Sequence, residues 1–273
     1  MKKPSIFALI SSLLFLVSFT SCASSNQKTI TVASSEMPHA LILNNAVKPI
    51  VEKQGYSLSV KVLDWTLQND AVANGEYDAN YFQHRPYLET YANNAEYQII
   101  EPIVTVHFEP LRIYRGKATD NAYPSKTSTF EICNDISNEI RALELLRSAN
   151  LIEGYECDAN GVPTNLPSNI TLVEESLLAA SLPDYDFGVL PCNTALTAHL
   201  SADPLLPGES DEVADLRANV LAANTKKYQN DSEYRAKIDC LADALLSSSV
   251  HDYIQTTWSQ VIMPYQKDLR KGR

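Results

Sequence analysis

The sequence is poor in glycine, in basic residues and in long hydrophobic runs. It has eight glycines and fourteen prolines in 273 residues, with no low-complexity segment. We find no internal repeat, which excludes solenoids and other repeat architectures. Beyond the N-terminal 22 residues, no apolar run is long enough to span a bilayer. These absences leave an ordinary globular protein that forms one large or two modest domains.

Positive charge is also scarce. The chain has 22 lysines and arginines against 33 aspartates and glutamates, for a formal net charge of −11. A surface of this sign argues against nucleic acid or anionic lipid headgroups as partners. The five histidines lack tight metal-ligand spacing such as H-x-x-x-H, and no histidine-rich loop is present. We therefore predict no metal and no cofactor.

The N-terminus is typical of an export signal. Two lysines precede the apolar run IFALISSLLFLVSF, which ends in FTSC at Cys22. This ending resembles the lipobox of bacterial lipoproteins, in which the cysteine is lipidated after cleavage. We predict a lipoprotein signal peptide at residues 1–21 and a lipidated tether at residues 22–28. The protein would then be anchored to the extracytoplasmic face of a cell membrane, inner or outer. An ordinary secretory signal that happens to contain a cysteine is the alternative.

The remaining chain alternates strand and helix patterns, which predicts the α/β class. We expect lobe one at residues 29–116 and lobe two at residues 117–218. Residues 219–273 would return to lobe one and end in helices. Two α/β lobes joined by two crossovers would bind a ligand in the cleft at the carboxyl ends of their strands.

One stretch, YDANYFQHRPYLET at residues 77–90, combines aromatic rings, amides and an imidazole where a strand meets a helix. Phe82 and His84 close the predicted strand, and Tyr87 follows in the helix. Trp65 adds another aromatic ring just after an earlier predicted strand, Leu58–Asp64. Single aromatic residues usually belong to a core, so packing alone is the alternative to a ligand site.

Arg141 lies about one turn into a helix that begins near Ser137. A guanidinium beside a helix N-terminus suits a small carboxylate that is held bidentately. The alternative is a solvated arginine paired with Glu139 or Glu144.

Asn193 and Asn219 supply neutral amides at the ends of two further strands. These amides would hold an ammonium and a carboxylate without adding charge. An arginine, two amides and an aromatic cage match a zwitterionic amino acid with an apolar side chain. A thioether would gain about 0.3–1.5 kcal/mol from each aromatic contact.

Several segments together resemble the methionine-binding lipoproteins, the substrate-binding subunits of methionine ABC importers. These segments are ASSEMPHALIL, DWTLQN, GEYDANYFQHRPYLE, HFEPLRIY and NDISNEIRALELLRSANLI. The resemblance implies a two-lobed periplasmic-binding-protein fold that closes over L-methionine and delivers it to an ABC permease and ATPase complex. It implies no enzymatic activity. The ligand-binding residues that it implies are Trp65, Phe82, His84, Tyr87, His107, Arg141, Asn193 and Asn219.

Other functions stay open at this point. Another apolar amino acid or a short methionine-containing peptide is the first alternative ligand. A metal-binding lipoprotein ranks lower, as does an enzyme that uses Cys133 or Cys192 as its nucleophile with a histidine base. The candidate metal ligands would be His39, His84, His107, His199 and His251.

Cys133 and Cys192 stand where the resembled family commonly has other residues. Cys133 ends the first predicted strand of lobe two, and Cys192 lies just past the third. Because those strands are neighbours in a doubly wound lobe, we predict a Cys133–Cys192 disulfide. A Cys133–Cys157 pair or four separate thiols are the alternatives.

Overall fold

A computed structural model describes residues 28–92, 99–119, 121–258 and 261–270. The predicted signal peptide, Cys22 and the tether before Lys28 lie outside the described residues. Within these ranges, the helices are all too short or too polar to cross a membrane.

The described residues form two main sheets and a small hairpin. The strands are, in chain order, β1 (Lys28–Ser34), β2 (Tyr56–Val62), β3 (Ala79–His84), β4 (Ile100–Phe108), β5 (Leu111–Arg115), β6 (Phe130–Cys133), β7 (Glu156–Cys157), β8 (Pro163–Thr164), β9 (Ile170–Val173), β10 (Phe187–Pro191), β11 (Asn219–Asn224) and β12 (Met263–Asp268). The first sheet has the order β12-β4-β11-β3-β1-β2, and the second has the order β5-β10-β6-β9. Strands β7 and β8 pair with each other.

Helices connect most of these strands. They are α1 (Lys48–Lys53), α2 (Trp65–Ala73), α3 (Arg85–Ala92), α4 (Ile136–Ser148), α5 (Leu178–Ser181), α6 (Cys192–Thr197), α7 (Ala214–Arg217), α8 (Thr225–Asn230), α9 (Ser232–Leu245) and α10 (Ser248–Thr257). Asp64 caps α2 by accepting the backbone N–H of Thr66, and Asp135 caps α4 by accepting that of Asn138. Both caps lie between a strand and the helix that follows it, so they fix the first turns of α2 and α4.

Each sheet has its own apolar core. Ile30, Val32 and Tyr81 are buried in the first core, and Phe130 and Phe187 stack in the second at a centroid distance of 5.9 Å. Strands β3 and β11 are buried along their whole length, as central strands covered on both faces should be. The predicted α/β architecture, with two lobes and two crossovers, is confirmed.

The change from lobe one to lobe two comes earlier than predicted. Leu111–Arg115 pairs antiparallel with Phe187–Pro191, so β5 already belongs to the second sheet. The first crossover therefore runs through Glu109 and Pro110, and the predicted boundary after residue 116 is wrong. The chain returns to the first sheet at Asn219. The region predicted to be helical at the C-terminus contains α9 and α10 but ends in β12, which pairs with β4 at the sheet edge. Pro264 is tolerated there because an edge strand does not need every N–H.

The predicted Cys133–Cys192 disulfide is also wrong. Strand β6, which ends at Cys133, and β10, which ends just before Cys192, are parallel neighbours. Val189 pairs with Ile132, however, which leaves Leu190 next to Cys133. Cys133 Sγ donates to Asp135 Oδ2 at 3.0 Å, whereas Cys192 Sγ donates to the backbone carbonyl of Pro110 at 2.9 Å. Cys133, Cys157, Cys192 and Cys240 are all free thiols.

Candidate functional site

A cavity of about 250 Å³ lies between the two lobes. This volume is slightly below the range of drug-sized sites and suits a ligand the size of an amino acid. All but one of the predicted ligand residues line it, and His107 does not. The lining residues that matter below are Trp65, Phe82, His84, Tyr87, Glu109, Asn138, Arg141, Glu175, Asn193 and Asn219. A second cavity of about 270 Å³ shares part of this lining, including Trp65 and Glu175.

The apolar wall of the cavity is centred on Tyr87. Its ring centroid lies 5.2 Å from that of Trp65 and 5.9 Å from that of Phe82. The His84 ring follows at 6.4 Å, with its plane nearly perpendicular to the Tyr87 ring. These distances and tilts are those of favourable aromatic pairs. The wall is therefore a packed unit that presents several rings to one apolar group.

The amides of β3 position this wall. Asn69 donates to Gln83 Oε1 at 2.9 Å, and Asn80 donates to Asn69 Oδ1 at 2.9 Å. The Gln83 Nε2 in turn donates to Asn69 Oδ1 at 2.6 Å. Such buried networks hold one arrangement when every member has a partner. This one ties α2, which begins at Trp65, to the strand that carries Phe82.

His84 connects the two lobes. Its Nδ1 accepts the backbone N–H of Tyr87 at 3.2 Å, so its Nε2–H is the donor to Asn138 Oδ1, at 3.0 Å. Burial, with Arg141 adding to it, lowers the pKa of His84 to about 3. The ring is thus neutral at pH 7, and it joins β3 to α4 through a hydrogen bond without adding charge.

Arg141 lines the cavity, but its guanidinium is largely occupied. Nε and Nη2 form a bidentate pair with the carboxylate of Glu209, at 3.1 and 2.6 Å. Nη2 also donates to the backbone carbonyl of Glu109, and Nη1 donates to Asn138 Oδ1. Among the described residues, one N–H of Nη1 is left without an acceptor. In this conformation Glu209 occupies the edge of Arg141 that was expected to grip a ligand carboxylate bidentately. The alternative of a solvated arginine is wrong, because Arg141 is buried.

Glu209 accepts hydrogen bonds from two further residues besides Arg141. Its Oε2 accepts the backbone N–H of Leu111 at 2.8 Å, and its Oε1 accepts from Arg217. Burial by itself would raise the pKa of Glu209, but Arg141 and the other donors lower it below its usual value. Arg217 also pairs with Glu144, whose side chain is 42% exposed. The result is a buried network beside the cavity that carries both signs of charge.

His107 lies behind the cavity and does not contact it. Tyr81 Oη is 2.5 Å from His107 Nδ1, and His107 Nε2 is 2.6 Å from Glu109 Oε1. His39 Nε2 is 3.1 Å from Asn219 Oδ1. When His39 donates to that oxygen, the Nδ2 donors of Asn219 remain for the cavity. His107 was predicted to contact the ligand, but the structure places Glu109 between it and the cavity.

Sequence reasoning missed several polar residues of the cavity, among them Glu109, Asn138 and Glu175. Glu109 and Glu175 follow β4 and β9 closely, so a search for acids just after strands would have found them. Burial, with Asp135 next to it, raises the pKa of Glu175 to about 7. Asn193, which was predicted, has a buried Oδ1 with no hydrogen-bond partner within the described ranges. That oxygen is an acceptor on the cavity wall.

Two groups of described side chains could hold a metal ion, His39 with His107 and Glu109, and Cys133 with Asp135 and Glu175. Sequence spacing could not reveal them because one member of each group, His39 or Glu175, comes from a distant segment. The hydrogen bonds already given for Glu109, together with that from Cys133 to Asp135, account for the proximity of these atoms. Thr194 Oγ1 donates to Glu175 at 3.0 Å, so these groups fit hydrogen-bond networks at least as well as metal sites.

The profile of the NlpA lipoprotein family matches residues 30–265. The chain is 30% identical to the methionine-binding lipoprotein MetQ of Bacillus subtilis, over 97% of this chain and 99% of that protein. It is 26% identical to the structure of lipoprotein Tp32 from Treponema pallidum, with a TM-score of 0.72 over 88% and 100% of the two chains. A nutrient-binding protein from Burkholderia cenocepacia, solved with methionine bound, shares the fold at 24% identity, with a TM-score of 0.71 over 86% and 99%.

The Glu209 network predicts a large and local stability effect. Glu209→Gln should lower the free energy of unfolding by about 3–5 kcal/mol, because it leaves buried Arg141 without its carboxylate. Glu144→Gln, which changes the exposed partner of Arg217, should cost less than about 1 kcal/mol. Urea unfolding of both variants at pH 7 measures the difference, and equal losses would contradict the assigned role of Glu209.

The same pair predicts a pH dependence. Because the pKa of Glu209 is lowered in the folded state, its stabilisation is present above the usual glutamate pKa and is lost as the pH falls through the lowered value. The difference in the free energy of unfolding between wild type and Glu209→Gln should therefore shrink on acidification. A difference that stays constant down to strongly acidic pH would show that the pair does not contribute in this way.

Proposed function

The chain belongs to the NlpA lipoprotein family, and we propose that it captures L-methionine outside the cytoplasm for delivery to an ABC importer. The observation that carries this proposal is a cavity of amino-acid size with an aromatic wall at one end and amides, an arginine and acids at the other. The Bacillus subtilis relative, matched along nearly its whole length, is a methionine-binding lipoprotein.

The aromatic wall would receive the methionine side chain. Trp65, Phe82 and Tyr87 present rings rather than aliphatic groups, and sulfur gains about 0.3–1.5 kcal/mol from each such contact. An aliphatic side chain of similar length would keep the burial but lose the sulfur contacts. We therefore expect a preference for methionine over leucine.

The polar end would bind the amino-acid head group. The remaining N–H of Arg141 and the Nδ2 of Asn219 are donors, and they suit the ligand carboxylate. Asn193 Oδ1 is a buried acceptor without a partner among the described residues, and it suits the ligand ammonium. Recognition of the carboxylate by single N–H groups replaces the bidentate grip expected from sequence.

The second cavity favours one alternative ligand. It continues past Trp65 and Glu175 and offers room that a single methionine does not need. A short methionine-containing peptide would extend into that space. Calorimetry with both kinds of ligand separates the two possibilities.

A binding role suits the cysteines better than catalysis. Burial raises the pKa of the Cys192 thiol to about 12 and raises that of Cys133 further. Neither thiol is activated as a nucleophile, since reactive cysteines have lowered pKa values. We propose that the chain is not an enzyme and that an ABC permease and ATPase complex is its partner.

The form of the protein that begins after Cys22 should bind L-methionine with 1:1 stoichiometry and a negative heat-capacity change, because apolar surface is buried. Isothermal titration calorimetry at several temperatures measures both quantities. L-leucine and a methionine dipeptide are the comparison ligands. Tighter binding of the dipeptide would favour the alternative, and no heat with any of them would refute the proposal.

We also propose that lipid on Cys22 anchors the protein to the membrane. Cys22→Ala should abolish fatty-acid labelling and release the protein from membranes, since the acyl chains supply the anchor. Ser21→Ala, which leaves the cysteine in place, is the matched control. Metabolic labelling followed by membrane fractionation measures both effects, and unlabelled wild-type protein would disprove the anchor.

A further inference from the structure

Glu109 is a buried acid on the cavity wall, and the charges around it are unusual. It follows β4 directly at the first crossover, and only 6% of the residue is exposed. The cavity reaches it from one side, and His39 and His107 pack against it from the other. A buried carboxylate normally has a cationic partner, because an unpaired buried charge is costly.

The two histidines near Glu109 are not such partners. His107 Nε2 lies 2.6 Å and His39 Nε2 lies 3.5 Å from Glu109 Oε1. Burial lowers the pKa of His107 to about 3 and that of His39 to about 4, so both are neutral at pH 7. Tyr81 donates its O–H to His107 Nδ1, which leaves the Nε2–H to donate to Glu109. His107 therefore hydrogen-bonds the carboxylate without neutralising it, and the Nε2 of His39 is engaged with Asn219.

The arginine of the cavity does not neutralise Glu109 either. Arg141 contacts the backbone carbonyl of Glu109, and its charge is paired with Glu209. Within the described ranges, His39 and His107 are the residues whose basic nitrogens lie within 4.0 Å of the Glu109 carboxylate. The Glu109 carboxyl thus has hydrogen-bond donors on its protein side and no cation in direct contact. Burial raises its pKa, and the nearby charge of Arg141 offsets only part of that effect. A cation on the cavity side would favour the ionised form.

We propose that Glu109 is the counter-ion for the primary ammonium group of the ligand. The proposal rests on the proposed function and extends it to the charge at the other end of the head group. The amide oxygen of Asn193 is the second acceptor, and the backbone N–H of Asn193 bonds Glu109, which holds the two acceptors together. A ligand that lacks the ammonium would leave the buried Glu109 carboxylate unpaired, and it would bring its own negatively charged carboxylate close to that of Glu109.

The test combines two ligands with two proteins. L-methionine is compared with its des-amino analogue, and wild type is compared with Glu109→Gln, all by calorimetry at pH 7. Wild type should bind the analogue about 30-fold more weakly, or worse, because a buried charge pair is lost. Glu109→Gln should lose a similar factor for methionine but bind the analogue at least as tightly as wild type does.

Three controls separate the effect of the Glu109 charge on binding from any effect on folding. Glu131→Gln changes another fully buried acid, which bonds Ser181 and does not line the cavity, and it should leave both affinities unchanged. Glu109→Asp keeps the charge and should retain the discrimination between the ligands. Methioninol, which keeps the ammonium and lacks the carboxylate, should be weakened by Glu109→Gln as methionine is.

The outcomes distinguish this proposal from the function on which it rests. If wild type does not bind methionine, the proposed function fails and the role of Glu109 fails with it. If wild type binds methionine and the des-amino analogue equally well, the function stands and the counter-ion role is refuted. Equal weakening of both ligands by Glu109→Gln also refutes it, because a purely structural role has that signature. If Glu109→Gln does not fold, the wild-type comparison can still refute the proposal, and Glu109→Asp tests the position of the charge.

Discussion

A single buried carboxylate, that of Glu209, holds together the region where the two lobes meet. It accepts the N–H of Leu111 just after the first crossover and pairs with Arg217 just before the second. It also clamps Arg141 of α4 at the cavity. Both crossovers and one wall of the cleft thus share one ionised group. The position of the cleft and the direction in which Arg141 offers its last N–H both depend on that group.

The cavity is electrostatically asymmetric as a consequence. At the polar end, Glu209 already satisfies the positive charge of Arg141, so neutral amides and a single N–H remain for a carboxylate. At the same end, Glu109 has no cation in direct contact among the described residues, because burial holds His39 and His107 neutral. Two hydrogen-bonded groups lie beside the polar end of the cavity, one formed by Tyr81, His107 and Glu109 and the other by His39 and Asn219. They orient Asn219 as a donor and leave Glu109 available as an acceptor, a pattern complementary to a zwitterion.

Local patterns in the sequence predicted the two lobes and the aromatic wall, because strand–helix alternation and strand-end positions are local properties. Pairings between distant segments were not predictable in the same way. Arg141 and Glu209 are 68 residues apart, and His39 and Asn219 are 180 apart. The alternation of Leu111–Arg115 fits either sheet, and the disulfide prediction failed on a register offset at the end of β10. In each case the missing information was a tertiary contact, which propensity and period do not carry.

The most direct test of methionine in the cleft is native mass spectrometry of the protein purified gently from its own host. We predict a complex heavier than the apoprotein by one methionine, and release of methionine on denaturation. A protein that carries a metal ion or a different small molecule, or that stays at the apoprotein mass even after methionine is added, would contradict the account.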